Sequence, residues 1–378
     1  MKVIGIIAEY NPFHLGHLYQ INKIKELYPD SLIIAIISTS FTERGELSLL
    51  NKWDKAKICL ENNIDLVVEL PTLYATQSAD IFAYGALKIL NALHIDTLVF
   101  GTESDNIEEL TLLAKVQLTN QKYDILVKEY LNKGINYPTA MSKALADITN
   151  IRIDMPNDLL ALSYIKEIIK NDYPITPVSI KRTNDYHGKE ITADIVNASL
   201  IRTMLNEGKD ISQYVPKITL EYISHKASLD NAYYYLIYNV INNKDHLNEY
   251  LTIDEGIENR IIKQIPLSNN WHELVMNIKT KRYTYNKINR MLIHLLLNIK
   301  KEDNTKETYL RILGFNKRGR NYLNSIKANI DEPIYTNYKP NKNKVLDLEY
   351  HATYIYSLIV NDLSLIQKEY KNKPIIKD

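Results

Sequence analysis

MKVIGIIAEYNPFHLGH, residues 1–17, places two histidines a few residues after a short apolar run. Val3–Ala8 has the length and the nearly continuous apolar character of a buried strand. From His17 to Leu27 the apolar residues return at helical spacing, so a helix is predicted to begin near Gly16. The free amide N–H groups of a helix N-terminus bind anions. We therefore expect His14 and His17 to face a phosphate chain and stabilise its charge. The alternative is a pair of surface histidines.

Strand-like and helix-like segments alternate over the first two hundred residues. Short runs rich in β-branched residues predict strands at Leu32–Ser38, Leu66–Leu70 and Thr97–Phe100. Between them, apolar residues at helical spacing predict helices at Lys52–Asn62 and Ala79–Leu93. This alternation favours an α/β fold with a doubly wound, Rossmann-type parallel sheet. Ligands of such sheets bind at the carboxyl ends of the strands.

The pattern changes beyond about residue 210, where helical spacing dominates and strand signals are few. A chain of 378 residues is also longer than one typical domain. We therefore predict an α/β domain at residues 1–210 and a mainly α-helical C-terminal domain at residues 211–378. The helices predicted in the second domain are Asp230–Asn242, Asp254–Gln264, Trp271–Thr280, Tyr285–Asn298, Thr305–Leu313 and a last one within Leu363–Asp378.

Positive charge is concentrated in one segment of the chain. The net charge of the whole sequence is only +1. The segment Lys279–Arg320, however, holds twelve Lys and Arg residues against three Asp and Glu residues. Such asymmetry predicts a polyanionic partner for this segment.

Cysteine content and hydropathy limit the class of protein. Cys59 is the single cysteine, which excludes a disulfide within the chain and a zinc site built on several cysteines. The longest apolar run, near Met291–Leu297, is much shorter than the roughly 20 residues that cross a bilayer. The first residues lack the apolar length and the cleavage site of a signal peptide. We expect a cytoplasmic protein without a membrane partner.

The histidine motif resembles a known signature. His14-Leu15-Gly16-His17, between a predicted strand and a predicted helix, is similar to the H-x-G-H motif of the nucleotidylyltransferase superfamily. Members of that superfamily direct attack on the α-phosphate of ATP and release pyrophosphate. Three later segments resemble other parts of the superfamily: Pro156-Asn157, the basic pair Lys181-Arg182, and the helix start at 199–202.

A narrower resemblance covers nearly the whole chain. The ordered set of motifs is similar to that of the tRNA(Met) cytidine acetate ligase family. The motifs are AEYNPFHLGH at 8–17, RGE at 44–46, KW at 52–53, ELP at 69–71, QSAD at 77–80, FGTE at 100–103, KRYT at 281–284 and LGFNKRGR at 313–320. The resemblance implies an ATP-dependent ligase that activates acetate as acetyl-adenylate. It also implies acetylation of N4 of the wobble cytidine of elongator tRNA(Met), with release of AMP and pyrophosphate and with Mg²⁺ accompanying ATP.

The same resemblance implies which residues contact ATP. His14 and His17 would be catalytic, residues 1–210 would form the adenylyl-transfer domain, and no residue is assigned as a metal ligand. From the residues alone, Gly101 could be a turn glycine, Asn157 a helix cap and Arg182 a solvated charge. The expected ATP contacts are Ile7, Ala8, Glu9, Tyr10, Asn11, Pro12, Phe13, His14, Leu15, Gly16, His17, Leu18, Tyr19, Gln20, Gly101, Asn157 and Arg182.

The basic segment is the expected tRNA surface of the helical domain. Cationic side chains neutralise phosphates, and neighbouring aromatic rings such as Tyr283 can stack on bases. An ordinary solvated helix face is the alternative. The residues expected to bind tRNA are Arg282, Lys287, Arg290, Lys317, Arg318 and Arg320.

One loop departs from the family pattern, and two other functions stay open. Ser38-Thr39-Ser40-Phe41-Thr42-Glu43 stands where Ser-Gly-Asn-Phe-x-Gln is expected. A small-molecule adenylyltransferase would leave the basic segment unexplained, and a non-catalytic RNA-binding protein would leave the histidine motif unexplained. The sequence does not identify the general base for the cytidine amine, the acetate pocket, the oligomeric state or the number of metal ions. No protein partner is expected.

Overall fold

The predicted strands form the central part of one sheet. The structure is a computed structural model that describes residues 1–182, 196–223 and 227–378. Five parallel strands lie in the order β5-β4-β1-β2-β3, which confirms the doubly wound α/β fold. Their bounds are β1 Val3–Ala8, β2 Leu32–Ser38, β3 Leu66–Leu70, β4 Thr97–Thr102 and β5 Thr176–Lys181. All seven residues of β2 are buried, because helices cover both faces of a parallel sheet.

Helices follow the strands and pack on both faces of the sheet. Ile34 and Ile36 face a large core shared with the helices at Ala79–Ala92 and Pro156–Lys170, whereas Ile33 and Ile37 face a smaller one shared with the helices at Leu15–Leu27 and Lys52–Glu61. The helices of this part are α1 Leu15–Leu27, α2 Lys52–Glu61, α3 Thr72–Ala75, α4 Ala79–Ala92, α5 Ile107–Thr119, α6 Gln121–Asn132, α7 Tyr137–Thr149, α8 Pro156–Lys170, α9 Ala198–Asn206 and α10 Lys217–Tyr222.

The later part of the chain is mainly helical, as predicted. Its helices are α11 Tyr233–Asn242, α12 Ile257–Gln264, α13 Trp271–Ile278, α14 Tyr285–Leu296, α15 Lys317–Ile326, α16 Lys344–Ile359 and α17 Ser364–Lys371. Three strands also occur there: β6 Leu310–Asn316, β7 Ile334–Tyr335 and β8 Ile375–Lys377. Among the helices of the described ranges, none combines the length and the apolar character needed to cross a membrane.

The helix predicted at Thr305–Leu313 is wrong. The chain instead enters β6, whose residues Leu310–Gly314 are buried. A short apolar run buried on both faces has no periodicity that separates a strand from a helix. Likewise, the predicted last helix ends at Lys371 and β8 follows it.

Strand β6 extends the sheet of the first part. It runs antiparallel to β3, with Leu66 opposite Phe315, and it pairs with β7 and β8. The first turn of α15 packs closely on the residue before β3, since a Cβ on Gly319 would overlap the carbonyl oxygen of Asp65. The sheet therefore takes strands from both sides of residue 210.

A group of buried charged side chains joins these distant segments. Lys52 Nζ on α2 lies 2.9 Å from Glu69, 3.0 Å from Glu349 and 2.8 Å from Glu369, and Arg311 on β6 also pairs with Glu369. Each of the five side chains is at most 1% exposed. Burial lowers the pKa of Lys52, but the three carboxylates outweigh it and the pKa is raised. We call this set the buried ion cluster.

Candidate functional site

The loop after β1 is held in a fixed conformation. Tyr10 has a φ of +47°, which is unusual for a residue with a side chain, and its buried ring packs on Phe13 and edge-on against His17. The side chain of Asn11 donates to Leu47 O (3.0 Å) and accepts from Leu49 N (2.8 Å). These contacts order the backbone that carries the two histidines.

His14 and His17 form a hydrogen-bonded pair at the start of α1. His14 is the N-cap residue: its Nδ1 accepts from Gly16 N at 3.0 Å, and its own N–H donates to His17 Nδ1 at 3.2 Å. The centroids of the two rings are 3.8 Å apart. Because both Nδ1 atoms act as acceptors, a neutral imidazole at either position carries its proton on Nε2.

Burial and neighbouring positive charges keep both imidazole rings neutral. Burial, and then the charges of Arg182 and Arg202, lower the pKa of His14 to about 3. Burial, His14 and Arg182 lower the pKa of His17 well below its usual value. The motif therefore presents two fixed, uncharged Nε2–H donors rather than two imidazolium ions.

His14 and His17 line a large cavity over the carboxyl ends of the parallel strands. Its volume is about 1070 Å³, and its wall includes Ala8 and Glu9 after β1 and Gly101 on β4. Residues in the first turns of α1, α8 and α9 also line it, so three positive helix ends lie beside one space. A pocket of about 70 Å³ adjoins it between His14, Gly101 and Arg182, among other residues. This is the arrangement expected for a polyphosphate ligand.

Most residues of the predicted ATP set line these two spaces. Those that do are Ile7, Ala8, Glu9, Tyr10, Asn11, His14, Gly16, His17, Tyr19, Gln20, Gly101, Asn157 and Arg182. Pro12, Phe13, Leu15 and Leu18 line neither of them. Phe13 is fully buried in the core, and Leu15 donates its N–H to Tyr214 O at 2.9 Å. These four residues support the loop and the helix.

Gly101 and Arg182 lie against each other at the ends of adjacent strands. Arg182 N donates to Thr102 O at 2.9 Å, and a Cβ on Gly101 would stand 3.3 Å from Arg182 Cγ. A side chain at residue 101 would therefore press on the Arg182 side chain and shift it by a few tenths of an ångström.

Asn157 lies in the first turn of α8 without acting as its cap. The N-cap residue is Met155, and the Asn157 side-chain amide donates to Glu103. Asp158 completes the junction by accepting from Glu103 N at 3.0 Å and from Ser104 N at 3.2 Å. The loop after β4 is thereby fixed against α8, and Asn157 lines the cavity.

The predicted tRNA residues fall into two separate groups. Arg282, Lys287 and Arg290 line the same cavity as the histidine motif. Arg282 pairs with Glu255 at 2.6 Å, and the Lys287 ammonium lies 4.6 Å from the centre of the Tyr283 ring. We call these three residues the cavity-side basic group.

The second group lies away from the cavity, beside the amino ends of the parallel strands. Lys317, Arg318 and Arg320 are exposed in the first turn of α15, which follows the antiparallel strand β6. Arg318 donates to the carbonyl oxygens of Asp30 and Ser31, both at 2.9 Å, next to the beginning of β2. The amino ends of the parallel strands are there, whereas the cavity lies at their carboxyl ends. We call these residues the α15 basic group.

Sequence reasoning missed the contacts of the loop that follows β2. Glu43 N donates to Glu9 Oε1 at 2.6 Å, and Glu46 pairs with Arg202 at 2.7 Å. Buried Lys55 donates to the carbonyl oxygens of Glu9 (2.7 Å), Ser38 (2.8 Å) and Thr39 (3.1 Å). The RGE motif at 44–46 is the sequence feature that could have pointed to this loop. No feature of the sequence points to Lys55.

The described ranges contain no cluster of three or more His, Cys, Asp or Glu side chains suited to hold a metal ion. Glu69 belongs to the buried ion cluster, and Asp80 accepts from Ser163 Oγ at 2.9 Å and pairs with Lys166 at 2.6 Å.

Comparison with known proteins gives consistent matches along the chain. A family model described as HIGH Nucleotidyl Transferase matches residues 1–372. The tRNA(Met) cytidine acetate ligase of Caldicellulosiruptor saccharolyticus is 36% identical, covering 99% of this chain and 98% of the relative. The tRNA(Met) cytidine acetate ligase of Thermoanaerobacter sp. (strain X514) is 37% identical and covers 100% of both chains.

Solved structures agree with these relatives. A crystal structure of Thermotoga maritima TmcAL bound with alpha-thio ATP has a TM-score of 0.89 and 28% sequence identity, covering 100% of this chain and 99% of that chain. An apo crystal structure of Thermotoga maritima TmcAL has a TM-score of 0.91 and 27% identity with the same coverage.

Proposed function

This chain belongs to the HIGH nucleotidyl transferase family and, within it, to the tRNA(Met) cytidine acetate ligases; from that premise we propose that it activates acetate with ATP and acetylates N4 of the wobble cytidine of elongator tRNA(Met). The observation that carries the proposal is the hydrogen-bonded pair of His14 and His17 at a helix N-terminus, on the wall of a cavity lined by both parts of the chain.

The first step is adenylyl transfer to acetate. An acetate oxygen attacks the α-phosphorus of ATP, and pyrophosphate leaves with the electron pair of the broken P–O bond. Negative charge accumulates on the leaving group, where His14, His17 and the amide groups of α1 can donate hydrogen bonds. Neutral donors suit this role because they need no proton transfer and keep the same geometry throughout the reaction.

Mg²⁺ would reach the site with its substrate. It commonly keeps water and phosphate ligands rather than an all-protein cage. When bound, it would neutralise part of the charge of the phosphates.

The second step is acetyl transfer to the cytidine. The exocyclic amine is conjugated with the ring and is a poor nucleophile, so it needs an acyl donor as reactive as acetyl-adenylate. A volume of about 1070 Å³ exceeds the 300–1000 Å³ that a small ligand usually occupies. The cavity can therefore admit a base next to the adenylate.

The cavity-side basic group is placed to contact tRNA near the reacting base. Lys287 and Arg282 line the same cavity as His14, and they could neutralise the phosphates that flank an inserted cytidine. The α15 basic group lies at the amino ends of the parallel strands and would contact a different part of the tRNA, if it contributes to binding. A small-molecule adenylyltransferase has no use for either group.

A comparison of tRNA nucleosides by mass spectrometry tests the proposal directly. The protein is incubated with ATP, acetate and an elongator tRNA(Met) transcript, and the expected product is N4-acetylcytidine at the wobble position. Pyrophosphate release that needs acetate but yields no modified nucleoside would favour a small-molecule reaction. Binding of tRNA without pyrophosphate release would favour a non-catalytic RNA-binding protein.

A further inference from the structure

Glu9 occupies a distinctive place in the cavity. It directly follows β1, which lies between β2 and β4, and it precedes His14 by five residues. Glu9 lines the same cavity as both histidines. The hydrogen bond from Glu43 N to Glu9 Oε1, at 2.6 Å, fixes the carboxylate at the carboxyl end of the strand. Substrates bind at this position in doubly wound sheets.

The other carboxylates that line the cavity are held in ion pairs. Among the described residues of the wall, these pairs are Glu43–Arg290 at 2.7 Å, Glu46–Arg202 at 2.7 Å, Asp80–Lys166 at 2.6 Å and Glu255–Arg282 at 2.6 Å. Glu9 Oε1 is bound by a main-chain N–H, which holds the group in place without a formal positive charge on the donor. A carboxylate held in this way keeps more of its basicity than one bound to arginine.

We propose that Glu9 is the general base that removes the proton from the cytidine amine during acetyl transfer, a role that rests on the proposed function. The amine nitrogen attacks the carbonyl carbon of acetyl-adenylate and forms the C–N bond. The bond from that carbon to the phosphate oxygen breaks, and AMP leaves with the electron pair. The proton lost from nitrogen passes to the carboxylate of Glu9 and then to water.

The surroundings of Glu9 fit a group that exchanges protons near neutral pH. Burial, which the Glu43 N–H opposes, raises the pKa of Glu9 to about 7. Among the neighbouring charges, Glu43 and Glu46 raise this pKa and Arg44 lowers it. Two further titratable groups lie close by: Lys55, whose pKa burial lowers to about 7, and Tyr164, whose pKa burial raises well above its usual value. A base works best when its pKa is close to the working pH.

The test separates the two steps of the reaction in the full-length protein with Glu9→Gln. Activation is measured as acetate-dependent exchange between ATP and pyrophosphate. Transfer is measured in a single turnover from purified acetyl-adenylate to elongator tRNA(Met) transcript, at several pH values. Transfer should fall by about 10²–10⁴-fold, as for loss of a general base, and by a much larger factor than exchange does. The wild-type transfer rate should rise with pH through about 7, and the variant should lose this rise.

Two controls accompany the variant. Asp80→Asn neutralises another cavity-lining carboxylate and should keep the dependence of transfer on pH. Glu9→Asp restores a carboxylate on a shorter side chain and should recover part of the rate. Thermal unfolding of each variant, followed by circular dichroism, checks that the fold is retained.

Three results would overturn the assignment. Transfer at the wild-type rate in Glu9→Gln would show that no base is needed there. Loss of exchange with transfer from acetyl-adenylate intact would place Glu9 with acetate or ATP in the first step. A wild-type protein that shows no acetate-dependent exchange would reject the proposed function, and the role of Glu9 with it.

Discussion

Arg290 and Glu43 join α14 to the loop after β2: Arg290 Nη1 lies 2.7 Å from Glu43 Oε1 and 3.0 Å from Glu43 O. Glu43 in turn donates its N–H to Glu9. A residue of the basic segment thus reaches the strand end that carries the histidine loop through two consecutive contacts. This relationship makes Arg290 a structural link, in addition to any contact with tRNA.

Arg290→Ala should destabilise the protein and slow acetyl transfer. The variant leaves Glu43 partly buried without its partner, which costs about 1–3 kcal/mol for a charged hydrogen bond. Arg282→Ala is the matched control, because its pair with Glu255 is about half exposed and contributes at most about 1 kcal/mol. Urea unfolding of both variants measures the difference, and equal losses of stability would contradict the link.

His17→Ala should reduce adenylyl transfer by about 10²–10³-fold, the usual effect of removing one donor to a transition state. Acetate-dependent exchange between ATP and pyrophosphate measures this effect. His246→Ala serves as the control, since His246 is exposed and far along the chain from the motif. Exchange at a near-normal rate in His17→Ala would remove the histidine pair from the mechanism.

Acid should destabilise the protein partly through its buried histidines. His294 lies between Thr76 Oγ1 at 3.1 Å and Thr252 Oγ1 at 2.9 Å, and burial lowers its pKa to about 4. Unfolding exposes it to an ordinary pKa near 6.5, so the unfolded state binds the extra proton first. The stabilising contribution is complete above about pH 6.5 and is lost at about 1.4 kcal/mol per pH unit as the pH falls toward 4.

The variant His294→Gln isolates this contribution. It should be less stable than the wild type at neutral pH, yet its free energy of unfolding should fall less steeply between about pH 6 and 4. Urea unfolding at several pH values gives both slopes. Parallel slopes would mean that His294 takes up no additional proton on unfolding.

Lys52→Met should destabilise the protein strongly. The variant leaves the carboxylates of Glu69, Glu349 and Glu369 buried with one cation fewer, and breaking a buried ion pair costs about 3–5 kcal/mol. Lys344→Met removes a cation whose side chain is half exposed, and should change stability little. Thermal unfolding measures both, and comparable melting temperatures would show that the buried ion cluster is protonated or hydrated instead.

The two basic groups should differ in their effects on tRNA and ATP. If Arg318 and Arg320 bind phosphates, reversal of both to Glu should weaken tRNA binding and flatten its salt dependence. The logarithmic slope should change by about 0.7–0.9 per lost phosphate contact. ATP affinity should not change, because the α15 basic group lies at the amino ends of the parallel strands and the cavity lies at their carboxyl ends.

Reversal of Lys287 to Glu is the comparison for that experiment. Lys287 lines the cavity, so the variant should weaken binding of tRNA and also alter ATP affinity. Filter binding over a range of salt concentrations measures both ligands. An unaltered salt slope after reversal of Arg318 and Arg320 would identify the α15 basic group as an ordinary solvated surface.

Local sequence patterns predicted the part of the fold that holds the site. β1, β2 and β3 have the bounds that their apolar runs indicate, and α1 begins one residue before Gly16. Such signals are reliable because strand, loop and helix start are all encoded within a few neighbouring residues. The placement of His14 and His17 on the cavity wall follows from the same local pattern.

Contacts between distant residues could not be predicted in this way. Strand β6 forms because β3 offers it a free edge, and that edge is invisible in the residues 305–313 themselves. The proximity of Glu43 to Arg290 depends on how α14 packs over the sheet. For the same reason the sequence suggested a single basic surface. In the structure β6 separates the segment into one group at the carboxyl ends of the parallel strands and another at their amino ends.

The pairing of β6 with β3 also has a consequence for synthesis of the protein. Leu66 and Phe315 are partners across the sheet but are 249 residues apart in sequence. At a typical rate of roughly 5–20 residues per second, the ribosome takes about 10–50 s to deliver β6 after β3 has emerged. During that interval the hydrogen-bonding edge of β3 is open to strands of other nascent chains. Expression in cells short of chaperones should therefore yield aggregates, and the yield should improve at a lower temperature.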